Sequence, residues 1–230
     1  MSVVVLGCGR SGTNMALEIL SGNSHLKTDS VIENKFLCKG NVYPGNYLTK
    51  CDTTYFNYKE LDALLCRNPN MKIVWCIRDP RDICLSNMRR GETFKNGGDC
   101  PVFCSTSTPK GSLENIQKMF NVFLQVEKSH SNRLYLFKME DFILTMEENV
   151  KTMCQALGLP YDKRMLNFMD RMRNNLKKKR YNGIDKSQVG IWRDLDRAYD
   201  GYFNSKEYDL QSLFKSLEEY ITYFGYEGNK

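Results

Sequence analysis

Short runs of unbroken apolar residues alternate along the chain with stripes that repeat every three or four positions. Val3 to Leu6 and Ile73 to Ile77 are apolar throughout, as a strand buried on both faces of a parallel sheet must be. Leu134 to Phe137 predicts a third strand and Tyr47 to Lys50 a short fourth one. The stripes between them predict helices. Met15 with Ile19, and Ala16 with Leu20, stack at i,i+4 in a helix over Thr13 to Leu20. Leu61, Leu64 and Leu65 mark a helix that stops before Pro69. Asp79-Pro80 reads as an N-cap and first helical position, opening a helix through about Met88. Further helices follow from Ile116, Met119, Phe120, Phe123 and Leu124, from Val150, Met153, Cys154 and Leu157 (closed by Gly158 and Pro160), and from Met165, Phe168, Met169 and Met172. One last helix carries Leu210, Leu213, Phe214, Leu217, Ile221 and Phe224. Residues 21 to 46 and 91 to 111 are irregular, the latter a loop long enough for a lid. Strands alternating with helices predict an α/β fold, a central parallel sheet flanked by helices on both faces, in a single domain over residues 1–230.

Composition narrows the partners more than the fold. With 230 residues and 41% hydrophobic side chains, the chain is long enough for a sizeable core. The net charge of +6 comes from 33 basic against 27 acidic residues, a balance that suits an anionic ligand better than wrapping by nucleic acid. No apolar run approaches the ~18 residues of a membrane span, and Val3 to Leu6 is too short for a signal peptide. The 9 cysteines lack zinc-type pairing. Cys76, Cys84 and Cys154 lie in apolar runs and read as buried reduced thiols; a disulfide between Cys100 and Cys104 stays open. With 2 histidines no His-rich metal site is expected, and the cytoplasm is the expected compartment.

The chemistry concentrates after the two strong strands. Gly7-Cys8-Gly9-Arg10-Ser11-Gly12-Thr13-Asn14 lies between a strand and a helix, the context in which a glycine loop cradles a phosphate. Backbone N–H groups at the helix start point at the anion, Ser11 and Thr13 offer hydroxyls, and Arg10 offers a planar fork. Gly7 and Gly12 have the separation of a nucleoside-triphosphate loop, but Thr13 follows Gly12 where the phosphate-binding lysine would stand. The cation is Arg10, inside the loop. After the second strand comes Arg78-Asp79-Pro80-Arg81-Asp82, with Ser86 about two helical turns on. Arg78 then sits at the carboxyl end of a parallel strand, where open α/β sheets bind ligands. Asp79 reads as a cap, and Arg81 with Asp82 as a solvated pair.

These two segments resemble the PAPS-dependent sulfotransferases, where PAPS is 3′-phosphoadenosine 5′-phosphosulfate. In that family G-x-x-R-S-G-T holds the 5′-phosphosulfate, and R-D-P-R-D with a following serine holds the 3′-phosphate. Three further stretches are similar, in the same order: Lys50 to Phe56 to a strand-end K-T/S-P-x-Y-F, Phe137 to Pro160 to Y-E-D-L…L-G-L-P, and Val189 to Arg193 to V-G-x-W. Cys51-Asp52 replaces a common Ser/Thr-Pro, Thr49 stands where some members carry a glutamate base, and Lys138-Met139 replaces a tyrosine.

The resemblance implies a P-loop-like sulfotransferase architecture and transfer of a sulfuryl group from PAPS to a hydroxyl or amine, with the bisphosphate PAP leaving and no metal. Arg10 and Lys50 would stabilise the leaving group, and Asp52 would be the base, with Glu33 and His25 as alternatives. Donor binding would fall to Gly9, Arg10, Ser11, Gly12, Thr13, Asn14, Arg78 and Ser86, with Lys186, Ser187, Val189, Gly190 and Trp192 in a loop over the nucleotide. The acceptor would be a small molecule or glycan. Two other readings remain open here: a P-loop-type kinase, and a binding module for nucleotide or polyanion. The module draws on the run Lys177-Lys178-Lys179-Arg180 with Arg171 and Arg173 before it.

Overall fold

The computed structural model describes residues 1–28, 45–51, 57–95, 108–175, 189–190 and 210–226. It divides into two compact units, one of Met1–Ile77 with Val122–Lys186, the other of Arg78–Asn121 with Ser187–Lys230.

The first unit holds the whole sheet: β1 (Ser2–Gly7), β2 (Lys27–Thr28), β3 (Tyr47–Lys50), β4 (Met71–Ile77) and β5 (Leu134–Lys138). The order is β2-β3-β1-β4-β5 and every pairing is parallel. The apolar runs became the central strands because residues there have no solvent face. Val3, Val5, Val74, Cys76 and Phe137 share one core with Met15, Ile19 and Leu20 of α1 (Thr13–Ser21), Phe142 of α5 (Met139–Leu144), Val150 and Met153 of α6 (Met146–Leu157), and Phe168, the first residue of α7 (Phe168–Asn175). Side chains alternate along a strand, so Trp75 faces the other way. There it meets Phe123 at 5.6 Å, on the part of α4 (Pro109–His130) that belongs to this unit. Helices therefore cover both faces. Next to that end of α4 lies α2 (Tyr58–Arg67), opened by a capping box in which Asn57 Oδ1 accepts from Glu60 N–H. The register aligns Val5 with both Lys50 and Val74, Gly7 with Cys76, and Ile77 with Lys138. The carboxyl ends of four strands thus form one edge.

In the second unit, α3 (Pro80–Lys95) is capped by Asp79, whose Oδ1 accepts the Arg81 N–H at 3.0 Å. Asn87 donates to the Ser112 hydroxyl at 3.0 Å, joining α3 to the first part of α4. Phe120 anchors an aromatic cluster with Tyr220, Tyr223 and Phe224 at 5.3, 5.3 and 5.6 Å. The thiols of Cys76, Cys84 and Cys154 are free and buried. Burial pushes Cys84 up to about 12 and Cys154 up to about 11, so they are inert at neutral pH.

Four expectations need correction. α3 runs past Met88 to Lys95, into the stretch read as loop, because good helix formers there outweigh the ~1 kcal/mol penalty of Gly91. β2 lies in a stretch expected to be irregular; both its residues are exposed, so it has no apolar signature. The stripe over Met165 to Met172 begins as a 3-10 turn, Lys163–Asn167, before α7. The last helix is two, α8 (Leu210–Lys215) and α9 (Glu218–Tyr223). At the break Ser216 Oγ donates to the Leu213 carbonyl and Leu217 N–H bonds at the tighter i−3 spacing, which diverts carbonyls that a continuous helix would use.

Candidate functional site

The loop from Gly7 to Thr13 closes on itself by local geometry. Ser11 N–H and Ser11 Oγ both donate to the Cys8 carbonyl, at 3.1 and 2.7 Å, and Ser11 is fully buried. Its hydroxyl proton therefore faces inward. Ser11, expected to offer its hydroxyl to the ligand, shapes the turn with its side chain. Gly7 lies so close to β4 that a Cβ would come 2.7 Å from the Cys76 carbonyl oxygen. Gly7→Ala should lower stability by about 2 kcal/mol, read as a shift in the urea midpoint. An unshifted midpoint would mean that the loop does not lie against β4.

Gly12 is the N-cap of α1, with φ 95° and no side-chain hydrogen bond to the first turn, and that turn holds no acidic residue. Among the described residues, neither the N-cap nor the first turn sets a carboxylate against the first-turn N–H groups and the positive end of the helix dipole. Arg10 is exposed and has φ 72°, among the described residues the one non-glycine with positive φ. Holding an arginine there costs about 1–3 kcal/mol, and such strain concentrates at ligand sites.

Lys50 comes from the next strand. The ladder carries Cys51 N–H to the Val5 carbonyl at 3.1 Å, which brings the end of β3 against β1 just before the loop. The lysine is only 5% exposed, and its Nζ donates to Asn14 Oδ1 at 2.6 Å. Asn14 was expected on the donor; the structure gives its side-chain oxygen to the Lys50 ammonium. The charge is felt nearby: burial raises the Cys76 thiol strongly, and Lys50 partly offsets it. Thr49 alternates to the opposite face of the sheet, and its buried Oγ1 has no hydrogen-bond partner among the described residues. His25 precedes β2, at the amino-terminal edge of the sheet, opposite the edge that carries the loop. Gly9 and Thr13 lie in the loop as expected, while Asp52 and Glu33 lie outside the described residues.

The second unit carries the other motif. Arg78 and Asp82 are buried, with Arg78 Nη2 3.6 Å from Asp82 Oδ2, and the Arg78 carbonyl accepts from Tyr220 OH. Ser86 is half-buried on α3. Arg81 closes on Asp79 with two hydrogen bonds of 2.8 and 2.7 Å and also donates to the Tyr226 carbonyl. The expected solvated pair of Arg81 and Asp82 is thus replaced by two buried ones. Val189 and Gly190 are half-buried, and Gly190 N–H donates to Asp82 Oδ2 at 2.9 Å. Sequence reading missed Asp82, because a charge on a helix start carries no sign of burial. Lys186, Ser187 and Trp192, like Cys100 and Cys104, lie outside the described residues.

Two other clusters belong elsewhere. Asp62, Cys66 and His130 bring ligand-type atoms within 4.8 Å of one another. Arg133, which can only donate, sits 2.6 Å from His130 Nδ1, so Nδ1 accepts and Nε2–H donates a hydrogen bond to Asp62 Oδ1 at 2.7 Å. The group clasps α2 to the end of α4. Arg171 donates to the carbonyls of Glu18, Arg164 and Met165, which takes it out of any solvent-facing basic stripe. Lys177 to Arg180 lie outside the described residues. Among the described residues no helix is long and apolar enough to cross a membrane.

A family model described as sulfotransferase domain matches residues 1–203. Solved structures share the fold. The mouse sulfotransferase SULT7A1 complexed with PAP superposes with a TM-score of 0.63 at 17% identity, over 96% of this chain and 84% of that one. The sulfotransferase domain of the Synechococcus PCC 7002 olefin synthase gives 0.61 at 14% identity, over 89% and 95%. A retinol dehydratase in complex with androsterone and inactive cofactor PAP gives 0.53 at 16% identity, over 96% and 80%. No curated protein matches the chain in sequence.

Proposed function

The chain belongs to the sulfotransferase domain family, and from that premise we propose that it transfers the sulfuryl group of PAPS to a hydroxyl or amine of a small-molecule or glycan acceptor. One observation carries the reading: an uncapped helix start, behind a loop whose cation is a strained arginine and not a lysine after Gly12. That arrangement suits a phosphosulfate, and it lacks the lysine a kinase places on the β- and γ-phosphates. Solved structures of the same fold that carry PAP support the donor. The reading takes residues 1–230 as one catalytic domain.

In this mechanism the first-turn N–H groups of α1 and the Arg10 guanidinium receive the 5′-phosphate and sulfate oxygens. Arg78 and Ser86 receive the 3′-phosphate, and the segment with Lys186, Ser187, Val189, Gly190 and Trp192 covers the nucleotide. The acceptor oxygen or nitrogen attacks sulfur in line. A new bond to sulfur forms as the bond from sulfur to the bridging oxygen breaks, and PAP leaves with that electron pair. Negative charge grows on the bridging oxygen, where Arg10 and Lys50 stabilise it. Asn14 holds the Lys50 ammonium beside the helix start. Asp52, two residues beyond Lys50, takes the acceptor proton.

The test is release of PAP from labelled PAPS across phenols, sterols, alcohols, amines and sugars, with label recovered in the acceptor. Transfer to one of them supports the reading; label that follows ATP and never PAPS opposes it. Within this scheme Asp52→Asn lowers turnover about 10²- to 10⁴-fold, while PAP affinity stays within about threefold. Unchanged turnover would move the base to Glu33 or His25.

A further inference from the structure

The segment Arg78-Asp79-Pro80-Arg81-Asp82 holds two carboxylates and two guanidinium groups, and the second unit sorts them into two different arrangements. Asp79 and Arg81 satisfy each other and tie down the Tyr226 carbonyl. Asp82 has no exposed surface at all. A carboxylate so placed is costly unless donors surround it. Its Oδ2 accepts the Gly190 N–H at 2.9 Å and lies 3.6 Å from Arg78 Nη2. Two groups more than a hundred positions apart in sequence thus meet at one oxygen. Gly190 adopts φ 70°, a left-handed conformation that glycine takes without strain and that other residues resist.

We infer that Asp82 is a positioning residue for the 3′-phosphate, setting the plane of the Arg78 guanidinium and fixing the backbone at Val189–Gly190 on the same carboxylate oxygen. The inference rests on the reading of Arg78 as the 3′-phosphate ligand. A guanidinium holds a phosphate with two parallel N–H bonds only when its plane is fixed. The 3.6 Å separation is that of an ion pair, longer than a hydrogen bond, so Asp82 orients Arg78 by charge. The shorter bond goes to Gly190 and anchors the backbone. The nearly isosteric Asp82→Asn removes the charge while retaining an oxygen that can accept from Gly190.

The experiment is a calorimetric double-mutant cycle on the full chain. PAP and AMP, which differ only in the 3′-phosphate, are titrated into the wild type, Asp82→Asn, Arg78→Met and the double variant. Asp82→Asn should weaken PAP about tenfold and AMP less than about threefold. In the Arg78→Met background the same substitution should leave the ratio of PAP to AMP affinity unchanged, because Asp82 acts through Arg78. A purely structural Asp82 would weaken both nucleotides equally, or act alike in both backgrounds, and either result overturns the inference. If Asp82→Asn does not fold, Asp82→Glu, which shifts the charge by one methylene, is read by the same ratio and the same criteria. Should Arg78→Met alone leave the ratio untouched, the reading of Arg78 fails, and that outcome is separate from any result at Asp82.

Discussion

Arg10→Gly lowers the rate of sulfuryl transfer about a thousandfold, roughly 4 kcal/mol of transition-state stabilisation, and leaves the protein at least as stable as the wild type. The two halves of this expectation come from the same backbone angle. At φ 72° an arginine is strained and a glycine is not, so the substitution relaxes the loop. Ser11 closes the turn onto the Cys8 carbonyl, and Gly7 seats the loop against β4. What is lost is the guanidinium beside the bridging oxygen, where charge appears only as the bond to sulfur breaks. Single-turnover rates and thermal unfolding check the two halves. Turnover within about threefold of wild type would remove Arg10 from the reaction. A marked loss of stability would mean that the arginine holds the loop together.

Arg78→Met weakens PAP by about a hundredfold and AMP by less than about threefold. The residue follows directly on β4 and is 3% exposed, so the methionine replaces its buried stem and removes only the donors. The substitution also takes the Arg78 guanidinium away from Asp82, and some stability is lost with it. Selectivity, and not affinity for one nucleotide, is therefore the quantity to read. Arg78→Lys keeps the charge but not the fork, and should fall between methionine and wild type. Equal losses for PAP and AMP in Arg78→Met would place the 3′-phosphate elsewhere.

The central strands were legible because burial on both faces demands apolar residues without interruption, as in Val3 to Leu6 and Ile73 to Ile77. β2 was not, since Lys27 and Thr28 are held by pairing with β3 alone. The division of the last helix was hidden for another reason: the stripe from Leu210 to Phe224 continues across it, and the Ser216 hydrogen bond that breaks it leaves the hydrophobic pattern intact. At the site, the strand-loop-helix context marked the phosphate loop, and the missing lysine marked its chemistry. The inward turn of Ser11 and the bond from Lys50 to Asn14 depend on where β1, β3 and α1 meet, which spacing does not encode. Asp82 is the clearest case. Beside Arg81 in sequence it reads as a solvated charge, whereas the bond from Gly190, brought in from far along the chain, engages a buried carboxylate.

The central claim is the donor, and calorimetric titration of PAP against the purified protein, with ADP and ATP–magnesium as controls, tests it most directly. The account predicts tight PAP binding, at least tenfold or so stronger than ADP, with no dependence on magnesium. Binding that favours ATP–magnesium over PAP would contradict it, and would take Arg78 and Ser86 with it.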